Sequence, residues 1–474
     1  MVFSSTIFLF FFFPITLLGY YIIHPKFKNT FLLLMSLIFY AWGEPKFVFV
    51  MLFSIFINYL FGLLVDKFRK RKKIVYSIIT IFVIFNVSIF FIYKYLDFAI
   101  TNINLLFGSN LPLANIILPI GISFYTFQAM SYVLDVYRHK GEVQKNPLNV
   151  ALYTMLFPQL IAGPIVRYET VSYDIKHRVE TFDDFSIGIK RFIIGLSKKV
   201  IISNSLALVA DKAFSYTDYS QLSVGLAWLG ALAYSLQIFY DFSGYSDMAI
   251  GLGKMFGFHF DENFDYPYIS QSVSEFWRRW HISLGTWFRD YVYFPLGGSR
   301  VKKKSRLIFN LFVVWFLTGV WHGASWNFIV WGLFYFVILT FEKLLNIPKR
   351  FNHNWSRELY RIITILYIII GWVIFRAKDL KHAIDYLISM AGLNGNTLTN
   401  GLTNFLVNDS LIIILIGVLF SIPITSKVKY FCDTYVVFHK MERILSPIIY
   451  TMLFIIDISY ILNSSYNPFI YFNF

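Results

Sequence analysis

Long uncharged apolar runs recur from one end of the chain to the other, separated by short polar stretches in which lysine and arginine gather. The candidate spans drawn around them are 2–23, 30–42, 46–65, 74–93, 112–137, 185–210, 221–243, 307–323, 326–341, 362–375, 410–426 and 446–462. A helix needs about 20 apolar residues to cross a bilayer, and in lipid only helices and closed barrels satisfy every backbone polar group. The pattern predicts an all-α polytopic membrane protein, with about eleven to thirteen transmembrane helices. Segment 150–166 carries Pro158 and Gly163-Pro164 and predicts a re-entrant or kinked element instead of a clean span.

Composition supports this class. Of 474 residues, 57% are hydrophobic and 15% charged, whereas a soluble domain carries about 25% charged residues. There is no repeat of fixed period and no low-complexity linker, so the chain reads as one membrane domain, 1–474. Its longest stretch of unusual composition is a hydrophilic insert, 271–306, expected on the cytoplasmic side.

Basic residues set the expected orientation. The first run has no lysine or arginine before Lys26 and lacks a small-residue cleavage site, so 1–23 reads as a span with an outside N-terminus. Loop 66–73 contains Lys67, Arg69, Lys70, Arg71, Lys72 and Lys73 against Asp66 alone, and reads as cytoplasmic. Loops 138–145, 342–361 and 427–443 are also net basic. Residues 96–111, 390–409 and the tail 463–474 have no basic residue and read as external. The net charge of +15 is therefore mostly topological. It implies membrane lipids as partners and no nucleic acid, because no soluble basic domain exists.

Cys432 is the sole cysteine, which excludes an intramolecular disulfide and a cysteine metal cluster. No Gly-rich phosphate loop appears. His281 and His322 stand in no Glu-x-x-His or His-x-x-x-His spacing, so neither a metal nor a bound cofactor is expected.

Two stretches carry candidate chemistry. In Trp315-Phe-Leu-Thr-Gly-Val-Trp321-His322-Gly-Ala-Ser-Trp326, one histidine sits among apolar, aromatic and small residues. An ionisable group at membrane depth is costly, so it points to function. The bland alternative is a core histidine hydrogen-bonded to backbone. In the insert, 274–291 read as a helix puts Trp277, Trp280, Leu284, Trp287 and Tyr291 on one face and Arg278, His281, Gly285 and Arg289 on the next. Such a helix is either an interfacial anchor or a cytoplasmic mouth that attracts an anionic donor such as the phosphates of coenzyme A. Arg278, Arg279, Lys302, Lys303 and Lys304 would then recruit the donor. Asp241 and Asp247, at a span end, read as helix caps or as buried partners of arginine.

Phe276-Trp-Arg-Arg-Trp-His-Ile-Ser-Leu284, Phe288-Arg-Asp-Tyr-Val-Tyr-Phe-Pro-Leu-Gly-Gly-Ser299, Trp321-His-Gly-Ala and Tyr240-Asp-Phe-Ser-Gly-Tyr-Ser-Asp-Met-Ala-Ile-Gly251 closely resemble the membrane-bound O-acyltransferase (MBOAT) family. Met1-Val-Phe-Ser-Ser, Phe157-Pro-Gln-Leu-Ile-Ala-Gly-Pro164 and Pro468-Phe-Ile-Tyr-Phe-Asn-Phe474 resemble its alginate O-acetyltransferase branch. The resemblance implies interfacial and re-entrant helices around a central catalytic chamber. It implies His322 as catalytic and His281 as the second histidine, with Trp321, Trp326 and Asp241 lining the site. It further implies transfer of an acetyl group from acetyl-CoA, or another acyl thioester, across a bacterial plasma membrane. The group would go to an extracellular polysaccharide such as alginate, with an extracytoplasmic acetyltransferase as partner. The imidazole would act as general base or as the acyl-carrying nucleophile; the residues fit both. D-alanyl transfer to teichoic acid, and a polysaccharide transporter or scaffold without chemistry, stay open as alternatives.

Overall fold

A computed structural model of the chain describes residues 1–347, 349–351, 353–463 and 466–470. Among these every regular element is helical, so the all-α expectation holds. The chain divides into two compact units. One comprises Met1–Phe192 with Tyr245–Asp261, the other Ile193–Gly244 with Glu262–Phe474.

Among the described residues eight helices are long and apolar enough to cross a membrane: Val48–Lys67, Lys72–Lys94, Phe182–Phe214, Lys304–His322, Trp326–Leu345, Asn354–Arg376, Gly401–Phe420 and Phe438–Asn463. Phe8–Ile22 and Leu96–Phe107 are apolar but shorter. The remaining apolar runs depart from simple spans for local reasons. Run 112–137 is helical only from Ile122, after Gly121 turns the chain with φ +77°. Run 221–243 continues to Met255, so Asp241 and Asp247 lie inside a 32-residue helix and not at its end. Segment 96–111, read as an external loop, contains the helix Leu96–Phe107, which stops where Gly108 adopts the left-handed conformation.

In the first unit, Val48–Lys67 and Lys72–Lys94 are joined by a reciprocal amide pair. Asn58 donates to Asn86 at 3.1 Å and Asn86 donates back at 3.0 Å. Paired amides satisfy each other where water is absent, and such bonds hold membrane helices together. Segment 150–166 breaks as expected. It runs as the helix Pro147–Met155, a turn at Leu156 and the short helix Phe157–Leu160, all buried from Val150 onward. Half-buried Arg191 meets the buried Asp247 at 2.6 Å, the arginine partner foreseen for that aspartate.

The second unit has its core on the aromatic faces of Trp326–Leu345 and Asn354–Arg376, with Trp331, Tyr335 and Trp372 almost fully buried. A close crossing positions the preceding helix. A Cβ on Gly319 would stand 2.5 Å from the Phe328 carbonyl oxygen, and one on Gly332 would stand 2.4 Å from that of Trp315. Lys304–His322 and Trp326–Leu345 therefore meet backbone to backbone at these glycines. In the same unit Lys199 and Asp241 form a fully buried ion pair, 2.6 Å apart. Asp241 also accepts from the Ile470 N–H at 3.0 Å, and Lys199 donates to the Pro468 carbonyl. The pair thus ties down the C-terminal segment 466–470. The end of the quoted tail motif, 471–474, and positions 464–465 lie outside the described residues.

A candidate functional site around two buried histidines

His322 is the last residue of Lys304–His322. The helix stops there because Gly323 is fully extended, with φ −174° and ψ 158°, and the next helix starts at Trp326. The glycine crossing one turn earlier holds this end against Trp326–Leu345. As a result the His322 ring meets the rings of Trp331 at 4.8 Å, Trp321 at 4.9 Å and Phe375 at 5.0 Å, centre to centre. Edge-to-face packing of this kind excludes water, and in a dry site polar interactions strengthen.

His281 reaches the same aromatic cluster from another element. Read as one helix, 274–291 should carry it on a face with Arg278. The structure corrects this: Val273–Arg279 ends at Trp280, and Ile282–Phe288 begins anew. His281 itself sits at φ 47° and ψ 53°, left-handed backbone that few non-glycine residues adopt. Its side chain is turned into the protein, 3% exposed, with its ring 6.1 Å from that of Trp321. Both histidines therefore touch one indole, Trp321, within one unit. Burial pushes the His281 imidazole down to about 3, so it is neutral at physiological pH.

Asn263 supports His281. Its Oδ1 lies 3.2 Å from His281 Nδ1 and accepts from the Ser283 N–H at 3.1 Å and the Ser283 hydroxyl at 2.9 Å. Its main-chain oxygen accepts from the Ile282 N–H at 2.9 Å. Glu342, 1% exposed, anchors the preceding helix, Val273–Arg279, in a similar way. Its carboxylate accepts from the N–H groups of Val273 and Ser274 at 2.8 and 2.7 Å, and from the Tyr360 hydroxyl at 2.9 Å. A carboxylate suits a helix N-terminus because the first N–H groups have no partner within the helix and carry partial positive charge.

The other expected site residues are spread. Arg278 is exposed, and Lys302, Lys303 and Lys304 lie exposed at the start of Lys304–His322. Arg279 is engaged by Asp265 at 2.7 Å and Glu275 at 3.0 Å. Trp326 is 51% exposed, so the lining role expected of it does not fit its place; Trp321 is buried beside both histidines. Asp241 is occupied by Lys199 and Ile470. The insert is no peripheral anchor either: Phe276, Trp280, Leu284, Trp287 and Phe288 are buried in protein. Asp433, His439 and Glu442 stand together with metal-ligand atom types, but this group includes neither His281 nor His322.

The sequence reading missed Asn263, Glu342 and Lys199. A carboxylate and an ammonium inside or beside apolar runs were visible signals for two of them. Asn263 carries no such signal.

The model of the MBOAT, membrane-bound O-acyltransferase family matches residues 143–381. A Pseudomonas putida protein named probable alginate O-acetylase is 44% identical over 391 residues, covering 81% of this chain and 79% of its own length. The peptidoglycan O-acetyltransferase of Helicobacter pylori is 36% identical over 455 residues, covering 87% and 85%. The teichoic acid D-alanyltransferase of Bacillus subtilis is 32% identical over 286 residues, covering 57% and 72%.

Proposed function

The chain belongs to the membrane-bound O-acyltransferase family and is a multi-pass membrane acyltransferase; from that premise we propose that it takes an acetyl group from cytoplasmic acetyl-CoA and passes it across a bacterial plasma membrane for O-acetylation of an extracellular polysaccharide. The observation that carries the site assignment is the meeting of two buried histidines on Trp321. An acyl acceptor hydroxyl must lose its proton as it attacks the thioester carbonyl, and the leaving thiolate must be protonated. His322 takes the first proton and returns it to sulfur. His281, held neutral and weakly basic by burial, orients a substrate hydrogen-bond donor and does not carry the proton.

The similarity to O-acetyltransferases over 81% and 87% of the chain supports acetyl as the group. The D-alanyltransferase relative shares a smaller share of this chain. The acceptors that the relatives' names give, alginate and peptidoglycan, support a polymer outside the membrane; an extracytoplasmic acetyltransferase as the receiving partner is part of the proposal. Lys302, Lys303 and Lys304, exposed near the end of the insert, attract the anionic donor by summed charge.

The test compares surface polymer from cells with and without the chain for ester-linked acetate. It is joined to an assay of coenzyme A release from acetyl-CoA by the purified protein. Equal acetate in both polymers together with no thiol release overturns the proposal.

A further inference from the structure

We infer that Asn263 is a positioning residue that fixes the tautomer of His281, placing the ring proton on Nδ1 and the lone pair on Nε2. The inference rests on the reading of His281 as belonging to the transfer site. It starts from an obligate donor. The Ser283 main-chain N–H lies 3.1 Å from one terminal atom of the Asn263 amide. A main-chain N–H only donates, so that atom is the oxygen, and the usual ambiguity between amide O and N disappears. The same oxygen lies 3.2 Å from His281 Nδ1. An amide oxygen only accepts, and an unprotonated Nδ1 would set two lone pairs against each other. The Ser283 hydroxyl, 3.5 Å from Nδ1, gives its one proton to the same amide oxygen at 2.9 Å, so Nδ1 carries the ring proton. In a neutral imidazole the other nitrogen is then the acceptor.

The surroundings leave Asn263 little freedom to do otherwise. It is 2% exposed, and its side-chain oxygen is also fixed by the Ser283 hydroxyl at 2.9 Å. Its main-chain oxygen holds the Ile282 N–H. One residue thus closes the first turn of Ile282–Phe288 and orients the histidine immediately before it. A histidine whose second nitrogen is bound to a fixed acceptor has its tautomer and ring orientation decided by that acceptor.

A cap alone would explain the bonds to Ile282 and Ser283, so the test reads the imidazole directly. The full chain is labelled with nitrogen-15 histidine, and His281 is assigned by the signal lost in His281→Asn. The expected wild-type pattern is that of the Nδ1–H tautomer. Asn263→Leu, similar in volume and without an acceptor, should shift His281 towards the Nε2–H form. It should lower kcat for acetyl transfer by at least about tenfold with KM nearly unchanged, as loss of an orienting partner does. Asn263→Asp keeps the acceptor oxygen and should keep the Nδ1–H form, which gives a readout if the leucine variant does not fold. Retention of the Nδ1–H form and of wild-type kcat in Asn263→Leu overturns the inference, as does an Nε2–H form in wild type or in Asn263→Asp. Wild-type transfer by His281→Asn would instead overturn the reading of the site, while the tautomer of the wild-type protein still reports on Asn263.

Discussion

The Glu342 carboxylate accepts from the Ser274 N–H at 2.7 Å, joining the end of one spanning helix to the first turn of the helix that leads to His281. Removing it leaves the Val273 and Ser274 donors buried or half-buried without their acceptor. Leaving buried donors unsatisfied costs about 1–3 kcal/mol each. Glu342→Ala should lower the midpoint of thermal unfolding in detergent and reduce transfer. Glu342→Gln, which keeps one accepting oxygen, should lose less of both. Equal stability of wild type and Glu342→Ala would show that the carboxylate does not hold this helix.

His322→Ala should abolish acetyl transfer, a loss of at least about a hundredfold for a missing general base, while expression and membrane insertion persist. The ring that is removed packs against Trp321, Trp331 and Phe375. Coenzyme A release by the purified variant is the measurement. Wild-type turnover in a folded His322→Ala protein removes His322 from the mechanism.

The exposed cluster at Lys302, Lys303 and Lys304 should act on donor affinity. Neutralising all three should raise KM for acetyl-CoA at low ionic strength and flatten its salt dependence, since long-range attraction is screened by salt. Turnover number should stay the same. Arg279 predicts the opposite balance. Its ties to Asp265 and Glu275 make Arg279→Ala a stability variant first. An unchanged KM for the triple-lysine variant at low salt would leave those lysines as topology signals alone.

His281 contributes a pH dependence of stability whose sign follows from its burial. Its folded value, about 3, lies below the ordinary 6.5. Between those values the unfolded chain binds a proton that the folded protein does not, so stability is lost as pH falls from about 6.5 towards 3, by up to about 1.4 kcal/mol per pH unit. His281→Asn should flatten the acid side of the unfolding curve. The same neutrality predicts no acid limb from His281 in the kcat profile between pH 5 and 8.

Breaking the buried Lys199–Asp241 pair on one side should cost about 3–5 kcal/mol, because the remaining charge is left uncompensated. Lys199→Met with Asp241→Asn should cost less than either change alone. Protease sensitivity of segment 466–470 is a second readout, since both partners bind it. Additive losses in the double variant would contradict coupling between the two.

What could be read from the sequence follows from how each feature is encoded. Eight spans among the described residues, against the eleven to thirteen expected, were legible because lipid demands continuous apolar runs, and the break at 150–166 because proline and glycine announce it. His322 stood out as one ionisable group in an apolar motif. The break at Trp280 and His281 was hidden, because the aromatic spacing of Trp277, Trp280, Leu284 and Trp287 runs through it at helical period, and a histidine, not a glycine, makes the turn. Asn263 was illegible because it lies in an irregular segment 18 residues away from His281. Only tertiary structure brings it to the ring. Glu342 fell in a loop read only for its net basic charge, and its role depends on a tertiary contact with the N-terminus of Val273–Arg279.

The left-handed backbone at His281 restricts how that position can be interrogated. Asparagine and glycine accept such dihedrals with little penalty, whereas a β-branched replacement forces the turn to rearrange. A valine or isoleucine scan there would report the geometry of the turn and say nothing of the imidazole. Only replacements that tolerate this conformation can separate what the ring does from where the chain must bend.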